Sequence, residues 1–97
     1  MRKAKTPSTD TRTEELIARW IEPNPRKPRF AEALVLLRRV SVWAVADQIE
    51  LEHGKLENVA EAYDLPLEAV KAAVSYYERH RAEIDARIAR NRAFFAP

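Results

Sequence analysis

Apolar side chains recur at helical spacing through the second half of the chain. The first run predicts a helix that starts after Ser41, which can cap a helix start, and ends at Gly54, which suits the left-handed position after a helix. A second, shorter helix is predicted over 55–63, and a third from Pro66, because proline fits the first turn of a helix. The apolar positions that define these three helices are Val42, Val45, Ala46, Ile49, Leu56, Val59, Ala60, Tyr63, Val70, Val74 and Tyr77.

The third helix has no predicted end before residue 95. Neither glycine nor proline interrupts it, and positions 81, 84, 88, 91 and 95 continue the alternating three- and four-residue spacing that starts at Val70. One helix over 66–95 would be about 45 Å long, whereas a compact domain of this size is roughly 33 Å across. We therefore expect residues 81–97 to form a long helical extension that projects from the domain.

The N-terminal part lacks a clear helical period. Residues 1–12 have no large apolar side chain after Met1, so they are predicted to form a disordered basic tail. Residues 16–21 fit one turn of helix or a short strand, and the prolines at 23, 25 and 28 predict a stiff basic loop over 22–29. Residues 30–39 fit either helix or strand, whereas Val40 and Val42 alternate around Ser41 like a strand end. The prediction is a β and loop element over 13–39, ahead of three helices over 40–80.

Composition excludes several classes of site. The 97 residues suffice for one small domain, and the single glycine cannot build a glycine-rich phosphate loop. The absence of cysteine excludes disulfides, zinc knuckles and thiol nucleophiles. The longest apolar runs, residues 33–37 and 42–46, are far short of the roughly 20 residues that a membrane helix needs, and no apolar stretch follows the basic N-terminus as in a secretory signal. We expect a cytoplasmic protein that binds no cofactor, metal or membrane.

The formal net charge of +2 is unevenly distributed. Between residues 46 and 68 seven acidic side chains face a single basic one, Lys55. Residues 23–39 are the reverse, because Glu32 is the only acid among five basic residues. A basic segment attracts phosphate, whereas an acidic one repels it. Phosphate contacts are therefore expected from the N-terminal third of the chain.

Several residue groups at fixed spacing resemble the domain-of-unknown-function family 433. They are residues 40–43 (Val-Ser-Val-Trp), Gly54, residues 59–66 (Val-Ala-Glu-Ala-Tyr-Asp-Leu-Pro), Ala73, Tyr76, Tyr77, His80 and Arg81. The resemblance covers residues 40–92, and more loosely 16–39. The chain departs from the family at residues 37–42, where many relatives read Gly-Thr-Arg-Ile-Pro-Val, and at Leu65, where serine or threonine is usual.

This resemblance implies a fold and a function. The fold is a mainly α, homeodomain-like helix-turn-helix of three helices, preceded by a short β element. The function is that of a VapB-type antitoxin, a cytoplasmic transcription regulator in a toxin–antitoxin system. Such a protein would bind operator DNA as a homodimer through its N-terminal half. It would bind its cognate toxin, a protein with a PIN-like fold, through its C-terminal segment.

Two sets of candidate binding residues follow. Basic side chains of the N-terminal third, with two residues on the outward face of the third helix, are candidates for DNA, although Glu57, Glu61 and Glu68 lie close to that helix. The DNA-binding candidates are Arg26, Lys27, Arg29, Arg38, Arg39, Lys71 and Ser75. The partner-binding candidates on the C-terminal seam are Ile84, Arg87, Ile88, Asn91, Phe94 and Phe95.

The residues also bear on two other classes of function. Glu50 and His53 match half of a carboxylate–histidine metal signature, but position 77, three before His80, is tyrosine, so no enzyme is predicted. A protein-interaction or dimerisation module that does not bind DNA is the alternative to a regulator. Trp20, Phe30 and residues 34–37 are more apolar surface than a short element can cover, which predicts a homodimer.

Overall fold

A computed structural model describes residues 7–95 of the chain. The predicted fold class is confirmed at the level of a mainly helical protein with a small sheet. None of the helices in this part of the chain is both long and apolar enough to cross a membrane. The helices are α1 (Pro7–Trp20), α2 (Val42–Leu51), α3 (Leu56–Tyr63), α4 (Leu67–Arg79) and α5 (Arg81–Phe95), and the strands are β1 (Ile21–Glu22), β2 (Leu34–Val35) and β3 (Val40–Ser41).

Helix α1 covers the second half of the predicted disordered tail and the first eight residues of the predicted β and loop element. The expectation of disorder is wrong for residues 7–12, and residues 1–6 lie outside the described part of the chain. Leu16, Ile17 and Trp20 of α1 pack against the core, and α1 lies along α4. Glu14 also pairs with Arg79 of α4 at 3.1 Å. Burial of this short apolar stripe stabilises a helix that extends toward the N-terminus through polar residues.

The three strands form one antiparallel sheet in the order β1-β2-β3. Ile21 pairs with Val35, and Leu34 pairs with Ser41, so residues 34–41 form a hairpin. A short 3₁₀ helix, Phe30–Glu32, precedes the hairpin. The open choice over residues 30–39 is thereby resolved as a 3₁₀ turn followed by a strand and a turn.

The hairpin turn places Leu37 in an unfavourable backbone conformation. Its φ is 75°, and the N–H of Arg38 donates to the carbonyl of Leu36 at 3.0 Å. A three-residue turn with this φ is rare for a residue that carries a Cβ. Leu37 occupies the position at which many members of family 433, which the chain resembles, have glycine. Leucine adopts this positive φ at a cost in free energy that glycine does not incur.

The core is built mainly from α2, α3 and α4. Val42, Val45, Val59 and Val70 are fully buried within it. The predicted helix starts hold to within a residue, since α2 begins directly after Ser41 and Pro66 directly precedes α4, but α2 ends at Leu51, three residues before Gly54, whose φ is 81°. Asp64 ends α3 in the left-handed conformation, at a φ of 56° and ψ of 49°.

The third predicted helix is broken at His80, where φ is −127° and ψ is 38°. The projecting C-terminal helix is therefore wrong for most of its length, because α5 folds back against α2 and the 3₁₀ helix. Ile84 is fully buried and Ile88 nearly so, and their burial offsets the cost of the break. At its end, Phe94 and Phe95 remain 81% and 73% exposed.

Candidate nucleic-acid interface

A basic cleft lies between the proline-rich loop after β1 and the middle of α5. Its volume is about 480 Å³. The described residues that line it are Arg26, Lys27, Pro28, Arg29, Glu32, Arg87 and Arg90. Hereafter these residues are called the basic cleft. The positive charge of residues 26–29 is thus reinforced by two arginines that are distant in sequence.

The loop side of the cleft is held by a local turn. The Asn24 carboxamide oxygen accepts hydrogen bonds from the backbone N–H groups of Arg26 at 3.0 Å and Lys27 at 3.3 Å. An asparagine side chain that bonds the backbone two residues on is a common turn motif. The turn and its neighbouring prolines at 25 and 28 restrict the backbone, so less entropy is lost when the loop binds a ligand.

Glu32 and Arg87 close the inner wall of the cleft. The Arg87 Nε donates to Glu32 Oε2 at 3.0 Å, and the two side chains are only 21% and 11% exposed. The Arg87 guanidinium also lies 4.3 Å from the centre of the Trp43 ring, within the range of a cation–π contact. The expectation that Arg87 flanks an open seam for a partner is therefore wrong, because its guanidinium attaches α5 to the rest of the domain.

The other cations of the cleft are available to a ligand. Arg26, Lys27, Arg29 and Arg90 are all exposed. Guanidinium groups bind phosphate oxygens through paired hydrogen bonds, and lysine binds them as a point charge. Since Glu32 is already paired with Arg87, the four exposed cations give the cleft a positive field that suits phosphate.

The hairpin arginines are not part of this cleft. Arg38 forms an ion pair with Asp64, which ties the hairpin turn to the end of α3. Arg39 pairs with Glu22 at 2.9 Å. Both side chains remain more than half exposed, so they add positive charge to the surface. The structure therefore brings together three of the five predicted basic candidates of the N-terminal third.

The outward face of α4 is narrower than the sequence predicts. Lys71 is exposed and Ser75 half-buried, but Ala72 between them is fully buried. Helix α1 lies along that side of α4, and the Glu14–Arg79 pair joins the two helices. Part of the surface of α4 is consequently occupied by contacts with α1.

The C-terminal candidates divide into buried and exposed residues. Ile84 and Ile88 belong to the core of the domain, so their assignment to a partner surface is wrong. Asn91 is half-buried. The Phe94 and Phe95 rings pack edge to face with their centres 5.1 Å apart, and both rings are exposed.

Sequence reasoning missed two parts of this surface. Arg90 lines the cleft, and its spacing of three from Arg87 was the available signal that both lie on one helix face. Phe30, directly after Arg29, is 55% exposed and stacks on His80 with ring centres 4.2 Å apart. The His80 ring in turn lies 4.5 Å from that of Tyr76. Nothing local in the sequence predicted this aromatic stack beside the cleft.

A second, wider groove of about 850 Å³ runs between α2, α4 and α5. Glu50 and His53 lie on its rim, and the described residues contain no group of three metal-ligating side chains that includes them. The Tyr77 hydroxyl donates to Asp85 Oδ1 at 2.7 Å. Partial burial raises the pKa of Tyr77 above 10.0, and the bond to Asp85 raises that pKa further.

Neither a protein-family model, nor a curated protein, nor a solved structure matches this chain. The resemblance to family 433 therefore remains a prediction that depends on the motif residues between 40 and 92.

Proposed function

We propose that this protein is an antitoxin-type regulator that binds nucleic acid through the phosphate backbone. The observation that carries the proposal is the convergence of Arg26, Lys27, Arg29 and Arg90 on one cleft. Sequence-independent binding of nucleic acid is dominated by such contacts between cations and phosphates. In this proposal α2, α3 and α4 form a helix-turn-helix whose main role is to support the cleft.

The proposal gives α4 a secondary role in recognition. A recognition helix needs a free face to enter the major groove. Here α1 covers part of α4, and the exposed face carries Glu68 beside Lys71. The basic cleft is a better phosphate site than α4, because its one described acid is already paired.

A toxin-binding role is proposed for the end of α5. Phe94 and Phe95 are large apolar side chains in water, and full burial of each would contribute about 1.5–3 kcal/mol. This same observation favours the alternative function, a protein-interaction module that does not bind nucleic acid. Coexpression with the product of the neighbouring gene tests this role. Wild type should copurify with that product, and a Phe94→Ser, Phe95→Ser variant should not.

The salt dependence of binding tests the nucleic-acid role. We expect the wild type to bind a labelled duplex at low salt, and the logarithm of its association constant to fall linearly with the logarithm of the salt concentration. The triple variant Arg26→Gln, Arg29→Gln, Arg90→Gln should reduce the magnitude of the slope by about 0.9 for each lost contact. Arg38→Gln is the matched control, because it removes one arginine charge that lies outside the cleft.

The outcomes separate the two candidate functions. A reduced slope in the triple variant, with a small change in the control, supports the proposal. If the slope changes by the same amount per removed charge in the triple variant and in Arg38→Gln, only the net charge of the protein matters. That result would refute the cleft as a binding site. No binding at low salt, together with copurification through Phe94 and Phe95, would favour the protein-interaction module.

A further inference from the structure

An apolar pocket adjoins the basic cleft on the side away from α5. Its volume is about 320 Å³, and most of its surface is apolar. The described residues that line it are Ile17, Ile21, Glu22, Pro23, Pro28, Arg29, Phe30 and Tyr76. Hereafter these residues are called the apolar pocket. Pro28 and Arg29 line both the pocket and the cleft, so the two sites share a wall.

A shallow depression makes the surface continuous between the two sites. It is about 400 Å³ in volume, and it is lined by Arg29, Phe30 and Arg90 together with the acids Glu32 and Glu83, of which Glu32 pairs with Arg87 and Glu83 lies 3.4 Å from His80 Nδ1. Phe30 therefore stands between the apolar pocket and the cations of α5. One continuous track leads from the aromatic stack to the arginines of the cleft.

The Phe30 ring is positioned for stacking with a planar ligand. It is supported by His80 in a nearly parallel arrangement, with an interplanar angle of 23°. His80 is itself backed by Tyr76, so the ring is fixed by a stack of three aromatic side chains. More than half of the Phe30 surface still faces solvent. A rigid, exposed ring loses little conformational entropy when a second planar group stacks on it.

We infer that the track binds single-stranded nucleic acid, with phosphates in the basic cleft and one unpaired base stacked on Phe30. This inference rests on the proposed function, whose phosphate site it uses. Proteins that bind single strands combine a basic groove with aromatic side chains on which bases stack. A base within a duplex is already stacked and paired, so it reaches Phe30 only if it is unstacked at a cost. The protein therefore prefers a single strand to a duplex of the same sequence.

Fluorescence anisotropy of labelled oligonucleotides tests this preference. The probes are an oligothymidylate of about 12 nucleotides, a duplex of the same length, and an abasic strand that keeps the phosphates. The wild type should bind the oligothymidylate about tenfold more tightly than either of the other two probes. Phe30→Ala should lower the affinity for the oligothymidylate to that for the abasic strand and leave the salt slope unchanged.

Two further variants control for folding and for exposed aromatic surface. Phe30→Trp should bind the oligothymidylate at least as tightly as the wild type, because a larger ring stacks at least as well. Phe95→Ala removes a phenylalanine that is more exposed than Phe30 (73% against 55%) and lies at the C-terminal end of α5, away from the stack, so it should leave oligothymidylate binding unchanged. A loss of binding in both Phe30 variants, or in Phe95→Ala, would contradict a specific stacking role.

The results also separate this inference from the function on which it rests. Duplex bound as tightly as single strand, with no effect of Phe30→Ala, would overturn the inference and leave the phosphate site intact. Binding of none of the three probes at low salt would overturn the nucleic-acid function itself. Binding of the oligothymidylate that falls with both Phe30→Ala and Arg29→Gln, with only the latter lowering the salt slope, supports both.

Discussion

The Glu32–Arg87 pair allows stability and ligand affinity to be changed in opposite directions by one substitution. Glu32→Gln removes the negative charge but keeps a side chain of the same shape. Breaking a fully buried ion pair costs about 3–5 kcal/mol, whereas an exposed pair contributes about 0–1 kcal/mol. With side chains 11% and 21% exposed, this pair lies between those limits. We expect a loss of about 2 kcal/mol, which lowers the melting temperature by roughly 10 °C for a domain of this size.

The same substitution should strengthen binding of nucleic acid. Glu32 is the described acid that lines the cleft, and its removal frees Arg87 to attract phosphate. Across water, with a dielectric constant of about 80, a carboxylate about 5–8 Å from a phosphate repels it by roughly 0.5–0.8 kcal/mol, so loss of this charge should raise the affinity by about two- to fourfold at low salt. The affinity should therefore rise while the stability falls.

Urea denaturation and anisotropy titration on the same preparations measure the two effects. Glu61→Gln is the matched control, because it removes an exposed carboxylate on α3 and should change the unfolding free energy by less than about 0.5 kcal/mol. A Glu32→Gln variant as stable as the control would refute the structural role of the pair. A variant with weaker binding, measured well below its melting temperature, would refute the assignment of the cleft to phosphate.

Three other predictions follow from the backbone, the core and the tyrosines. Leu37→Gly should stabilise the protein by about 0.5–1 kcal/mol, since it relieves the positive φ, whereas Leu37→Ala should not; equal unfolding free energies for both variants would contradict this. Ile84→Ala should destabilise by about 2–5 kcal/mol in thermal melts, and Phe95→Ala by less than about 0.5 kcal/mol, so comparable losses would place Ile84 outside the core. Because the folded state raises the pKa of Tyr77, its contribution to stability is present below pH 10.0 and is lost as the pH rises through the folded pKa. Tyr77→Phe should therefore reduce the decline in unfolding free energy above pH 10.0. An unchanged decline would refute the link between the pKa of Tyr77 and stability.

Local signals in the sequence predicted the central three helices well. Gly54 and Pro66 mark boundaries through backbone preferences that hold in any context, whereas Ser41 precedes α2 without a side-chain capping hydrogen bond. Helix α1 was missed because its polar first half has no local signal, and its apolar stripe becomes stable only against α4. The break at His80 was missed for the same reason. No glycine or proline marks it, and burial of Ile84 and Ile88 makes it favourable.

The candidate site was predictable only in part. The basic loop at residues 26–29 was visible as a charge cluster, and the exposed Phe94 and Phe95 were visible as aromatic residues near a helix end. The cleft itself depends on contacts between residues far apart in sequence. Glu32 and Arg87 are separated by 55 positions, and no pattern along the chain relates such residues. The proposed phosphate site and the expected partner surface share α5 for this reason.

The break at His80 also predicts how the molecule opens. Because one non-helical residue separates α4 from α5, we expect α5 to detach as a unit, with exposure of Ile84 and Ile88, before the other helices unfold. Amide hydrogens of α5 should then exchange through a partial opening that costs less than global unfolding. That opening carries Arg87 and Arg90 away from the loop, so it dismantles the basic cleft. A ligand at one hundred times its dissociation constant would raise the free energy of this opening by about 2.7 kcal/mol. Hydrogen exchange in α5 thus reports on occupancy of a site formed largely by the opposite end of the chain.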